Sequence, residues 1–150
     1  MLPRGFGVKG IDGSDPLAIT DPARARQIVI HLLPANTPLP ADTGPYTFHT
    51  AIDNQRVVGI EVWEQSGSVE SPDPAENRRI GQGMLHIPPR LPARTPIEVT
   101  FFMSETGLLS VHATESGSGN DLRFDLQIGD LDQAGLDEAR KSVGRYDVSG

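Results

Sequence analysis

The sequence has no cysteine, which excludes disulfide bonding and thiolate chemistry and suits a reducing compartment such as the cytoplasm. No apolar run is long enough to span a bilayer. The opening MLPRGFGVKG lacks the apolar stretch of a signal peptide. Basic residues are few: 13 Lys and Arg stand against 20 Asp and Glu, a net charge of −7. That balance argues against nucleic-acid binding, which needs a basic patch to neutralise phosphates, and against an anionic membrane surface. Acidity here serves solubility first.

Catalytic and metal-binding signatures are missing too. The four histidines, at 31, 49, 86 and 112, do not pair at metal-ligand spacing. Asp12, Asp15 and Asp21 with Gly13 lack the spacing and terminal Glu of a calcium loop. Ser110 and His112 lie on one polar face without an oxyanion motif. Gly7–Gly10 is not a phosphate loop. The residues therefore point to no enzyme and to no metal or cofactor.

What is present is β-structure in one domain-sized chain of 150 residues, rich in turn formers with 16 Gly and 13 Pro. Ile97, Val99, Phe101 and Met103 alternate with polar residues, then Leu109, Val111 and Ala113, then Leu122, Phe124, Leu126 and Ile128. The turns SETG and ESGSGN separate the three runs, so they read as an antiparallel meander with one wet face. Upstream, strands are expected at Phe6–Ile11, at Gln27–Leu33 as a buried strand, and weakly at Arg79–His86, where Gly81 and Gly83 intervene. Residues 14–26, 34–45, 65–78 and 88–96 read as loops, the third of them as mobile surface. TFHTAIDNQRVVGIEVWE reads as a pair of strands, Tyr46–Ala51 and Arg56–Trp63, around the turn Ile52–Gln55. Helical spacing is confined to Leu131–Val143. The expected fold is an all-β antiparallel sandwich of about eight strands over residues 1–130, followed by a short helical segment and tail over 131–150.

Four motifs occur in one order: TPLP (Thr37–Pro40), FHTAIDNQRVVGIEV (Phe48–Val62), IGQGML with IPP (Ile80–Pro89), and PIEVTFFMSETGLLSVHA (Pro96–Ala113). GFGVKGIDG precedes them. Together they resemble the β-sandwich substrate-binding domain of the DnaK-type chaperones, the seventy-kilodalton heat-shock family, from about Pro3 to Ile128. The resemblance implies two four-stranded sheets and a channel that holds extended apolar segments of unfolded polypeptides. Backbone hydrogen bonds would make such binding general, and one apolar pocket would make it select hydrophobic segments.

Carried over motif by motif, the pocket comprises Phe6, Val8, Phe48, Val58, Ile60 and Ile97. Ile11 and Ala51 form an arch, and the backbone near Lys9 and His49 bonds the peptide. The resemblance also implies partners: an ATPase domain in the full-length chain, where ATP would bind, and a J-domain co-chaperone. The sequence shows neither that domain nor its apolar linker, and a full helical lid is missing. Departures include the long Ser14–Arg26 loop, Ile52 in place of an acidic residue, Gly83 in place of Phe, and two arginines, Arg90 and Arg94, competing for one family position. An alternative follows from the first of these: an interaction scaffold whose channel is covered by the 14–26 loop. The tail Gly144–Gly150 is a further candidate occupant of the channel.

Overall fold

A computed structural model describes residues 2–128. The helix expected at Leu131–Val143, the boundary near residue 130 and the tail Gly144–Gly150 lie outside the described residues. In chain order the strands are β1 (Phe6–Ile11), β2 (Gln27–Leu33), β3 (Ala41–Asp42), β4 (Tyr46–His49), β5 (Val57–Gln65), β6 (Asn77–His86), β7 (Pro96–Met103), β8 (Leu108–Glu115) and β9 (Asn120–Gln127). One sheet has the order β2-β1-β5-β6. The other has the order β3-β7-β8-β9, with β4 also paired to β7, so it holds five strands where four were expected. The extra element is β3, two residues inside the Pro-rich segment 34–45. A short helix, α1 (Leu17–Thr20), interrupts the first long loop.

The meander forms as its alternation requires. Val99 lies opposite Ala113, Phe101 opposite Val111, and Met103 opposite Leu109. Val111 and Leu109 in turn face Phe124 and Leu126 on β9. The inward residues of β7 and β8 are buried while Glu98, Phe102 and Ser110 point outward. From the opposite sheet Phe6, Val8, Ile60, Val62 and Leu85 close the same core. Each such side chain contributes about 1.5–3 kcal/mol by leaving water.

Three sequence expectations change. First, β4 and β5 do not pair with each other. β4 runs antiparallel to β7, whereas β5 lies between β1 and β6 in the opposite sheet. A period of two fixes which side chains share a face but not which strand lies alongside, and residues 50–56 cross from one sheet to the other. Second, β6 is a ten-residue strand despite its glycines. A Cβ on Gly81 would sit 2.7 Å from both Leu126 methyls, and one on Gly83 would sit 2.9 Å from Leu122 Cδ2 and 3.0 Å from Phe124 Cδ1. The bare positions let β9 side chains reach the β6 backbone.

Third, β2 is an edge strand, fully burying only Val29 and Leu33. The Val29 amide donates to the Pro72 carbonyl at 2.8 Å. Asn77 Oδ1 lies 2.9 Å from His31 Nε2, and Asn77 Nδ2 donates to the carbonyls of Ser71 and Asp73 at 2.8 Å each. The Pro-rich segment before β6 is thereby tied across the edge of the sheet, which blunts a strand otherwise open to pairing.

Candidate functional site

β1 pairs with β2 along its whole length, from Phe6 to Ile11. Its pairing with β5 stops at Val8, opposite Val62. Past that point the β5-facing edge of Lys9–Ile11 and the β1-facing edge of Val57–Glu61 have no ladder partner in each other. The two strands form a fork. Among the described residues β4 pairs with β7 on one side alone, which leaves another free edge there.

Phe48 joins these edges. It lies opposite Ile97 on β7, and its ring rests on β1 at Gly10, where a Cβ would be 3.1 Å from Phe48 Cε1. Ile11 follows Gly10, and Ala51 lies three residues beyond Phe48, so the two arch candidates flank one contact between the sheets. Both are half-buried. Phe48 and Val58 are half-buried at the border of the core. Val58 is paired with Leu85.

The other four pocket candidates lie deeper. Phe6 is 1% exposed, Val8 and Ile60 2%, and Ile97 0%. They pack in the core between the sheets, and Phe48 and Val58 pack against that core. His49 ends β4 opposite Pro96 and is exposed. Lys9 turns its side chain to the outer face, where Nζ lies 3.6 Å from Glu61 Oε1 and 5.3 Å from the centre of the Trp63 ring. Lys9 and Glu61 are the first residues past the last β1–β5 pair, so this contact spans the mouth of the fork.

The segment from Thr50 to Gln55 is braced by residues whose role the sequence did not reveal. Thr50 is buried and exchanges hydrogen bonds with Thr95: its amide donates to the Thr95 carbonyl, and its hydroxyl oxygen accepts the Thr95 amide. Asp53 Oδ1 accepts the Ala93 amide and Asn54 Oδ1 the Arg90 amide, both at 2.7 Å. The Asn54 amide donates to Leu91 O. Gln55 Oε1 accepts the Ala51 amide at 2.9 Å. The Asp-Asn-Gln run thus fastens Ala51, an arch candidate, and docks its loop on residues 90–95. The signal was present in the motif itself, but its partners lie about 40 residues away. Arg90 and Arg94, which shared one expectation, both adopt left-handed backbone, with φ of 71° and 68°.

Among the described residues the side-chain polar contacts of the 12–26 segment stay within it. Asp12 Oδ1 accepts both the hydroxyl and the amide of Ser14, and these bonds hold its carboxyl below the usual range. Asp15 accepts the amides of Arg26 and Leu17, which lower its carboxyl likewise. The Asp12 amide donates to Arg26 O, closing the loop at its base. Ile19, on α1, is 74% exposed. These carboxylates shape a turn, and among the described residues no cluster of three His, Asp or Glu side chains is placed to hold a metal. No helix among the described residues is long and apolar enough to cross a membrane.

Comparison with known proteins agrees with the architecture. The family model described as Hsp70 protein matches residues 21–142. Proteins named Chaperone protein DnaK from two strains of Halobacterium salinarum, R1 and NRC-1, are each 40% identical over 90 residues, which is 59% of this chain. The chain spans 14% of the length of those relatives. A match over most of the chain, on an antiparallel sandwich that carries the family's motifs in order, shows that this chain belongs to the Hsp70 family of chaperones.

Proposed function

We propose that this domain holds short extended apolar segments of unfolded polypeptides at the fork between β1 and β5. One observation carries the reading. The β1 backbone leaves its β5 partner after Val8, beside two half-buried apolar side chains, Phe48 and Val58. An extended peptide offers donors and acceptors whatever its sequence, and the free edges of Lys9–Ile11 and β4 offer the complementary groups. Each such bond contributes about 0.5–1.5 kcal/mol net. One Leu-sized side chain buried against Phe48 and Val58 adds about 1.5–3 kcal/mol. Only the apolar term depends on the peptide's side chains, so preference falls on segments that folded proteins bury.

In this reading Ile11 and Ala51 arch over the bound backbone, and Lys9 and His49 lend backbone groups. The buried quartet Phe6, Val8, Ile60 and Ile97 forms the pocket floor. No cofactor takes part in holding the peptide. ATP-driven release and a J-domain co-chaperone belong to an ATPase domain elsewhere in a longer chain. The test is titration of a Leu-rich extended peptide with basic flanks, followed by the backbone amide resonances of Phe48–Ile60. Shifts saturating at micromolar peptide support the reading. Their absence at millimolar peptide overturns it and leaves the scaffold with a channel covered by the 14–26 loop.

A further inference from the structure

We infer that Glu61 is a positioning residue for the bound chain: it clasps Lys9 where the β1–β5 ladder stops, and so keeps β1 and β5 within reach of one extended segment. The inference rests on the peptide-holding reading above. The rungs of that ladder are Phe6–Glu64, Gly7–Trp63 and Val8–Val62. One step further, the register would set Lys9 opposite Glu61, and then Gly10 opposite Ile60. Neither is a ladder pair. Lys9–Ile11 and Gly59–Glu61 contain no proline, so their backbones are free to bond in a ladder or to part. The end of the ladder is therefore a point at which the two strands can split further.

The side chains of the missing rung meet on the outer face. Lys9 Nζ lies 3.6 Å from Glu61 Oε1 and 5.3 Å from the centre of the Trp63 ring. The same Glu61 oxygen accepts the Trp63 indole N–H at 3.1 Å and stands 4.0 Å from Arg79 Nη1 on β6. One carboxylate oxygen thus joins three strands where the ladder ends. Among the described residues no other ion pair links β1 to β5. The Lys9 and Glu61 side chains are 26% and 27% exposed, so salt screens them less than a fully exposed pair. β2 supports Lys9–Ile11 from its other side, along the whole of β1. Splitting past the clasp would carry β1 away from β5. A chain could then not bond the β1 edge and pack on Val58 of β5 at once.

The experiment follows the off-rate of an uncharged, Leu-centred extended peptide, so that salt acts on the protein alone. Lys9→Met keeps the stem beside Trp63 and removes the cation. Glu61→Gln keeps an acceptor for the Trp63 indole and removes the anion. Each raises the off-rate about three- to fivefold, the effect of one partly exposed ion pair. The double variant is no worse than either single, because both remove the same contact. Lys9→Arg recovers most of what Lys9→Met loses, since a guanidinium also pairs with the carboxylate and stacks on the ring. Added salt raises the wild-type off-rate toward that of the double variant and leaves the double variant unchanged. Melting temperatures stay close to wild type. If the two singles add, if neither changes the off-rate, if salt acts alike on wild type and double variant, or if melting falls in step with binding, the positioning role is wrong and peptide holding stands. If wild type binds no peptide at millimolar concentration, both readings fall together. Independently of any peptide, Glu61→Ala shifts the Trp63 indole proton resonance, and an unchanged resonance overturns the contact.

Discussion

Thr50 and Thr95 hold each other: the Thr50 amide donates to the Thr95 carbonyl at 3.0 Å, and the Thr95 amide donates to Thr50 Oγ1 at 2.9 Å. Both hydroxyls donate to the Pro92 carbonyl, at 3.3 Å from Thr50 and 2.7 Å from Thr95. The pair sits where β4 ends and β7 begins, beneath the loop that carries Ala51. Thr50→Val keeps the side-chain shape and removes the oxygen. The buried Thr95 amide is then left without its acceptor, which costs about 1–3 kcal/mol. Urea denaturation measures that loss, and hydrogen exchange at Thr95 and Ala93 rises with it. An unchanged midpoint would remove Thr50 from the brace.

A second prediction concerns the closeness of β6 and β9. Gly81→Val places a branched side chain where even a Cβ meets both Leu126 methyls at 2.7 Å. Leu126 is itself only 6% exposed and has little room to retreat. Overpacking of this kind costs about 1–3 kcal/mol. Leu126→Ala is destabilising alone through its cavity, but in the double variant part of the loss is recovered, because the two changes compensate in volume. Additive losses in a denaturation cycle would contradict the packing described.

Acid sensitivity has an identifiable contributor in Glu115, a buried carboxylate at the β8–β9 turn. The Ser118 hydroxyl, and then the amides of Gly117 and Ser118, hold its carboxyl below the ordinary value, with burial opposing them. A lowered folded value means that the contribution is complete above the unfolded glutamate pKa of about 4.3. It fades as pH falls through the folded value, where the native carboxylate takes up its proton. Glu115→Gln therefore reduces stability near neutrality by about 1 kcal/mol, the difference between a charged and a neutral acceptor. The gap from wild type narrows as pH drops below about 4. A gap independent of pH across that range would count against the charge.

The functional prediction centres on Val58, whose half-buried side chain borders the fork. Val58→Phe enlarges the side chain at the fork and weakens binding of a Leu-centred peptide by at least about tenfold. Melting changes far less, since the new ring extends toward solvent at the edge of the core. Trp63, the single tryptophan, stacks under Lys9 at the mouth of the fork and provides a fluorescence readout. Equal loss of binding and of stability would place Val58 in the core and not in a pocket.

The sequence by itself determined the fold class, the meander β7–β9 and the family. Alternation along one strand is a local property, set by the pleat that sends neighbouring side chains to opposite faces. The ordered motifs named Phe48, Val58, Ile11 and Ala51 as site candidates by resemblance alone. Only the tertiary structure decided that β4 and β5 enter opposite sheets, that β1 leaves β5 after Val8, and that Phe48 lies on Gly10. It alone separated the pocket candidates into a half-buried pair, Phe48 and Val58, and a fully buried quartet, Phe6, Val8, Ile60 and Ile97. The physical reason is range. Strand partners, close approaches of glycine and side chain-to-backbone braces such as Asp53 with Ala93 join residues 40 positions apart. Nothing in the local pattern of either segment names the other.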